Sequence, residues 1–211
     1  MAVAVLGVLP RRVQGETLDR VVASIGHVAI TQLDLQEEYR FERFLQGQPP
    51  TGSPGPAIRK VVLSRLISQK LLAGQIGSAN RESATSKETA KKTLNEVRKE
   101  FPSDQAYRSA LHALGMTEPQ VLKRLELYQR TLRMIDERLR STAWPDPKEV
   151  EVYYKETFVP EYAKGHSTPP PPLAEVQDKI QEILVQRKMN QLLANWLDRL
   201  KSSRRVTIHS N

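Results

Sequence analysis

Cysteine is absent from the 211 residues, which excludes disulfides, thiolate metal sites and a cysteine nucleophile. Aromatic residues are scarce at 6%, and with them goes the composition of a sheet-based fold. No phosphate loop, dinucleotide fingerprint or HExxH motif occurs, and no serine lies in a nucleophile elbow. His27, His112, His166 and His209 are far apart and lack ligand spacing. The neighbouring carboxylates Glu37 and Glu38, and Glu149 and Glu151, fall in stretches dense with Lys and Arg, where a solvated face explains them. Catalytic residues, metal ligands and cofactor sites are therefore expected to be lacking. Long hydrophobic runs are missing too. The one apolar N-terminal run, AVAVLGVLP, falls well short of the ~20 residues that span a bilayer.

What is present is a helix-forming composition. Hydrophobic residues make up 39% of the chain, enough for a core, and charged residues 27%. Lys, Arg, Glu and Gln dominate the polar set. A net charge of +8 raises nucleic acid as a partner. In KETAKKTLNEVRKE and VLKRLELYQRTLRMIDERLRS, however, both signs alternate within every turn, as on a solvated helix surface. Nucleic acid is accordingly not expected as a partner. Acidic lipid headgroups, in a membrane-proximal setting, and acidic polypeptides stay open.

Along the chain, residues 1–15 resemble the end of a secretory signal, with an apolar core and then Val13-Gln14-Gly15 before a cut. The positively charged start is missing, consistent with a start codon placed too late. Two β-branched runs, Val21 to Ile25 and Val28 to Ile30, flank Gly26-His27 and predict a tight hairpin. Thr31 with Asp34 forms a capping box for the next helix. On that helix Leu33, Phe41, Phe44 and Leu45 share one face and Leu35 and Tyr39 another, so two contacts are expected. Residues 46–56 read as a loop, followed by a nearly all-apolar buried helix ending at Gly77. Thr85 with Glu88 caps a helix to about Phe101, and Ser103 caps another that Gly115 stops. Thr117 and Pro119 open a long helix to about Arg140. Val121, Leu125, Tyr128, Leu132, Ile135 and Leu139 form a seam that packs lengthwise on a partner.

Asp146, Pro147 and Glu149 start a helix that halts near Phe158. A proline-rich connector, residues 159–172, then leads into a helical pattern over 173–201 whose stripe changes face. Leu173, Val176, Ile180, Ile183 and Leu184 lie nearly opposite Met189, Leu192, Leu193, Trp196, Leu197 and Leu200. Finally RRVTIH alternates like a short strand whose candidate partner is the N-terminal hairpin. The fold expected is mainly α, with a small sheet built from both ends of the chain.

The stretches LDRVVASIGHVAITQLDL, IRKVVLSRLISQKLL, LGMTEPQVLKRLELYQRTLRMIDERLR, PDPKEVEVYYKETF and EVQDKIQEILVQRKMNQLLANWLDRLKSSRRVTI, in that order, resemble the SurA family of bacterial periplasmic chaperones. PrsA-like and trigger-factor-like chaperones share related helical lobes. The resemblance implies one chaperone lobe, made of residues 16–158 and completed by 173–211. It also implies ATP-independent holding of unfolded outer-membrane or secreted polypeptides in the periplasm. In that family a parvulin prolyl isomerase domain follows the helix near Pro147. Here the span between Phe158 and Leu173 is far below the ~50 residues of a small domain. Isomerase activity is thus not carried over, and the chain is not expected to be an enzyme. A residual isomerase and a basic nucleic-acid-binding helical protein are the alternatives. Helices with two apolar faces suggest Tyr39, Phe41, Phe44 and Leu45 as client contacts, although the same side chains equally suit a core.

Overall fold

The computed structural model describes residues 19–76 and 84–209. The possible signal segment 1–15 and the expected helix stop at Gly77 lie outside the described residues.

Strands β1 (Val21–Ile25) and β2 (Val28–Thr31) form the hairpin around Gly26-His27. Gly26, at φ 57°, takes the left-handed turn conformation. The chain ends in β3 (Val206–Ile208), which pairs antiparallel with β1 to give the order β2-β1-β3. Ala23 is the middle of this sheet, opposite Ile30 on one side and Ile208 on the other. The register shifts between Val21 and Ala23. This bulge turns consecutive residues Val22 and Ala23 both inward, and both are buried.

Helix α1 (Gln32–Leu45) starts at Thr31, whose hydroxyl accepts from the Asp34 N–H while the Asp34 carboxylate accepts from the Thr31 N–H. Next come α2 (Pro56–Ala73), α3 (Ala84–Lys99), α4 (Asp104–Leu114) and α5 (Glu118–Leu139). Ser103 caps α4, left-handed Gly115 ends it and Thr117 opens α5, as the sequence predicts, while the Gln120 side chain, accepting from the Thr117 N–H, adds a cap beyond that expectation. Two starts and faces differ. Thr85 lies within α3, its carbonyl accepting from the Thr89 hydroxyl 2.9 Å away. Helix α2 buries Val62, Leu66, Ile67, Leu71 and Leu72, but Ile58 and Val61 near its start are exposed. Its apolar character exceeds what its neighbours cover.

Past Phe158 the chain stays helical. Helix α6 (Pro147–Tyr153) runs through a π-helical turn (Tyr154–Phe158) into α7 (Val159–Gly165). Pro160 supplies no N–H and its ring crowds the preceding turn. Widening that turn, with the Val159 N–H reaching back to the Tyr154 carbonyl, accommodates the proline without breaking the helix. Tyr154, Phe158, Tyr162 and His166 stack in sequence along this arm, with ring centroids 5.7, 5.8 and 4.0 Å apart. The connector proper is therefore 166–172. The Tyr154 hydroxyl donates to the Pro171 carbonyl at 2.9 Å, holding it against the arm.

Helix α8 (Leu173–Ser203) has 31 residues, about 46 Å at 1.5 Å per residue. Its first half packs Val176, Ile180 and Leu184 on Val150, Tyr153, Tyr154 and Phe158 of the arm. Its second half turns Val185, Met189, Trp196 and Leu200 into a central core with the sheet, α2, Leu35 and the end of α5. A third cluster joins Phe41, Phe44, Ala90, Val97, Phe101, Tyr107, Val121 and Leu125 into a lobe of α1, α3, α4 and α5. Helix α1 has the two contacts its sequence demands: Leu35 and Tyr39 face the central core, Phe41 and Phe44 the lobe. Leu33 departs from the expectation and is half exposed.

Gly47, just past α1, has φ 68°, and a Cβ there would lie 2.7 Å from the Glu100 carbonyl oxygen at the end of α3. Gly47→Ala is expected to lose about 1–3 kcal/mol of stability. Urea unfolding would measure it, and a loss under half of the lower figure would contradict the tight fit.

Candidate functional site

The side chains that the sequence nominates for client contact do not form a surface. Phe44 is fully buried and Phe41 5% exposed. Phe44 packs 5.5 Å from Phe101 and 5.7 Å from Tyr107, ring centroid to centroid. Tyr39 and Leu45 are half-buried against the central core and the lobe. This corrects the expectation for Phe41 and Phe44. Both faces of α1 are covered because the helix lies between two cores, so neither ring is open to a ligand.

Uncovered apolar side chains lie elsewhere: Ile58 and Val61 on α2, Trp144 beyond α5, and a group in the middle of α5. Helix α5 contributes to the lobe as far as Leu125 and to the central core from Met134 and Ile135 onward. Between those contacts Leu127, Tyr128 and Leu132 are 40%, 49% and 43% exposed. The expected seam therefore breaks in its middle: Val121, Leu125, Ile135 and Leu139 are buried, and Tyr128 and Leu132 are not. Thr131 is buried in their place, its hydroxyl donating to the Leu127 carbonyl at 2.8 Å. The sequence carried a signal for this. Helix α5 has more apolar residues than one stripe can hold, Leu127 and Tyr128 being adjacent and hence on different faces.

Leu132 opens onto a groove of about 540 Å3 between α3, α5 and α8. Thr89 of α3 forms one wall, Met189, Asn190 and Leu193 of α8 the other, and Ile135 lies between them. Met189 and Ile135 belong to the central core, so the groove floor is the outer edge of that core. Its rim is amide-rich. Gln129 and Gln186 line it, and Gln186 donates to the Asn190 side-chain carbonyl at 3.1 Å. Such amides both donate and accept, matching the alternating N–H and C=O groups of an extended peptide. Arg140 fixes the far end, donating to Asp136 at 2.7 Å and lying 3.5 Å from Glu182 of α8.

A shallower concavity of about 360 Å3 lies between α6 and α8, with exposed Val152 and half-buried Tyr153 and Leu184 beside Asp146 and Glu149. Glu149 has two structural tasks there. It accepts from the Asp146 N–H to cap α6, and from the Lys188 ammonium to tie the arm to α8. The Lys188 hydrogen bond, then the backbone N–H of Asp146, hold its carboxyl below the ordinary range. Among the described residues, no group of His, Asp or Glu is arranged to hold a metal ion. No described helix is long and apolar enough to cross a membrane. Comparison with protein-family models, with curated proteins and with solved structures finds no match to the chain.

Leu132 and Ile135 test the division between open groove and core. Ile135→Ala is expected to cost about 2–5 kcal/mol, whereas Leu132→Ala, already in water over much of its surface, costs under about 1 kcal/mol. Equal losses in urea unfolding would place Leu132 in the core. For the arm, the depressed carboxyl of Glu149 contributes stability that is present above the ordinary value of 4.5 and fades as pH falls through the lowered one. The protection of α6 amides against exchange, taken relative to the intrinsic rate at each pH, should therefore fall below pH 4.5 in the wild type. Glu149→Gln should flatten that dependence, and an unchanged profile would remove the linkage.

Proposed function

We propose that the protein is an ATP-independent holdase of the SurA type, acting in the periplasm on unfolded outer-membrane or secreted polypeptides. The observation that carries this reading is the α5 face of Tyr128 and Leu132, one turn apart and uncovered, with Leu132 opening onto an amide-rimmed apolar groove. An exposed apolar patch with a polar rim is a surface for protein partners. A non-native chain can lay aliphatic and aromatic side chains into it while the Gln and Asn amides meet its backbone. Such a chain gives up ordering entropy on docking, so affinity per contact is modest and release needs no nucleotide. The net charge of +8 adds attraction to acidic segments that weakens as salt rises.

The arm supports the same reading from another side. It passes from α7 through residues 166–172 directly into α8, so binding rather than proline isomerisation is the activity proposed. The order and spacing of the sequence stretches that resemble the SurA family support the periplasmic setting.

The test is aggregation of an unfolded outer-membrane protein, followed by light scattering without ATP, with the chain beginning at Glu16 at equimolar ratio. Suppression is expected, and the triple variant Leu127→Ser, Tyr128→Ser, Leu132→Ser should lose most of it at an unchanged melting temperature. No suppression by the wild type, or full suppression by the triple variant, rejects the reading or its site. Turnover of a proline peptide would reassign the chain to the isomerases. Micromolar DNA binding with a steep salt slope would reassign it to nucleic-acid binding.

A further inference from the structure

Glu38 is a charged residue only 2% exposed, a placement that costs several kcal/mol unless the charge is paired and hydrogen-bonded. It is both. One carboxylate oxygen accepts from the Gln69 amide of α2 at 3.0 Å, and the other accepts from the Arg124 guanidinium of α5. Arg124 in turn lies over the Phe41 ring, 3.9 Å from its centroid. One turn further along α1, Glu42 pairs with Arg65 of α2. The acid thus sits where α1 and α5 cross between two separately packed cores.

That position has a geometric meaning. Helices α2 and α8 pack in the central core, α3 and α4 in the lobe, and among the described helices only α1 and α5 contribute to both. The groove takes one wall from each side, Thr89 from the lobe and Met189, Asn190 and Leu193 from α8. Its width is therefore the angle between the two cores. Apolar contacts resist separation but slide readily, because they have no direction, whereas a carboxylate with two donors from two helices has one geometry. We infer that the Glu38 carboxylate is a latch that sets the angle of the α3–α4 lobe against the central core, and with it the opening of the groove. The latch as a structural device stands on its own geometry; its role in client capacity rests on the holdase reading.

The chain contains no cysteine, so spin labels can be placed at Lys91→Cys on α3 and Ala194→Cys on α8, both exposed. Electron–electron distance measurement should give one narrow distribution in the otherwise wild-type protein. Glu38→Gln keeps the shape and removes the charge, and Glu38→Met with Arg124→Met replaces the pair by apolar side chains of similar length. Both variants are expected to show a broadened distribution with a second, longer population while circular dichroism keeps its helical signal. Superimposable distributions in the folded variants would overturn the latch. Unlabelled versions run in the aggregation assay separate the two ideas. If distances move but the wild type never suppresses aggregation, the holdase reading fails and the latch stands. If the wild type suppresses aggregation and distances stay fixed, the latch fails alone.

Discussion

Ala23, with Ile30 on one flank and Ile208 on the other, is where the two ends of the chain are held together. A three-residue strand such as β3 has no independent stability, and it persists because α8 delivers it there. The delivery is direct: α8 ends at Ser203, Arg204 and Arg205 turn the chain, and pairing begins at Val206. Arg205 takes a left-handed conformation with φ 51°, a cost accepted by a non-glycine residue because a longer turn would lose the register. Once the strand is seated, the axis of α8 is fixed relative to the sheet. The arm and one wall of the groove follow from that axis.

The second dependence is the change of face along α8. A straight helix of about 46 Å outreaches any single core of this size, so a constant stripe would leave half of it in water. Turning the stripe between Leu184 and Met189 lets one rod serve the arm and the central core. Helix α5 solves the corresponding problem differently. It keeps its stripe and passes from lobe to centre through an uncovered stretch, one of the apolar surfaces the molecule presents. Shared helices, with polar pairs such as Glu38 and Arg124 at their crossing, connect cores that are each small.

Local signals made much of this legible in advance. The hairpin, the box at Thr31, the helix starts at Thr117 and Asp146, the stop at Gly115 and the facial switch of α8 all depend on residues a few positions apart. They survive because tertiary packing agrees with them. The pairing of β3 with β1 was also readable, since a lone alternating segment needs an edge and the hairpin offered one. The candidate site was not. Tyr39, Phe41, Phe44 and Leu45 share their helix with other apolar residues, and whether such faces are covered depends on α2, α3, α4 and α5 arriving from elsewhere in the chain. Tyr128 and Leu132 failed for the converse reason: a perfect heptad spacing names a stripe, not the presence of something to cover it. The arm was misread at Phe158 because Pro160 signals a stop, while a π turn relieves the clash that makes it one.

The two tryptophans stand in opposite surroundings, which gives the molecule an optical reporter. Trp196 is buried in the central core beneath the Arg138 guanidinium, whereas Trp144 is 56% exposed, so in a Trp144→Phe background indole fluorescence follows the central core alone. The lobe carries Phe44, Phe101 and Tyr107 in mutual contact and no indole. The arm, from Tyr154 to His166, contributes stacked phenol and phenyl chromophores of its own. Melting of the centre can thus be followed by indole emission in that background and set against the phenol absorbance of lobe and arm together, and their coincidence or spread reads out how tightly the shared rods couple three small cores.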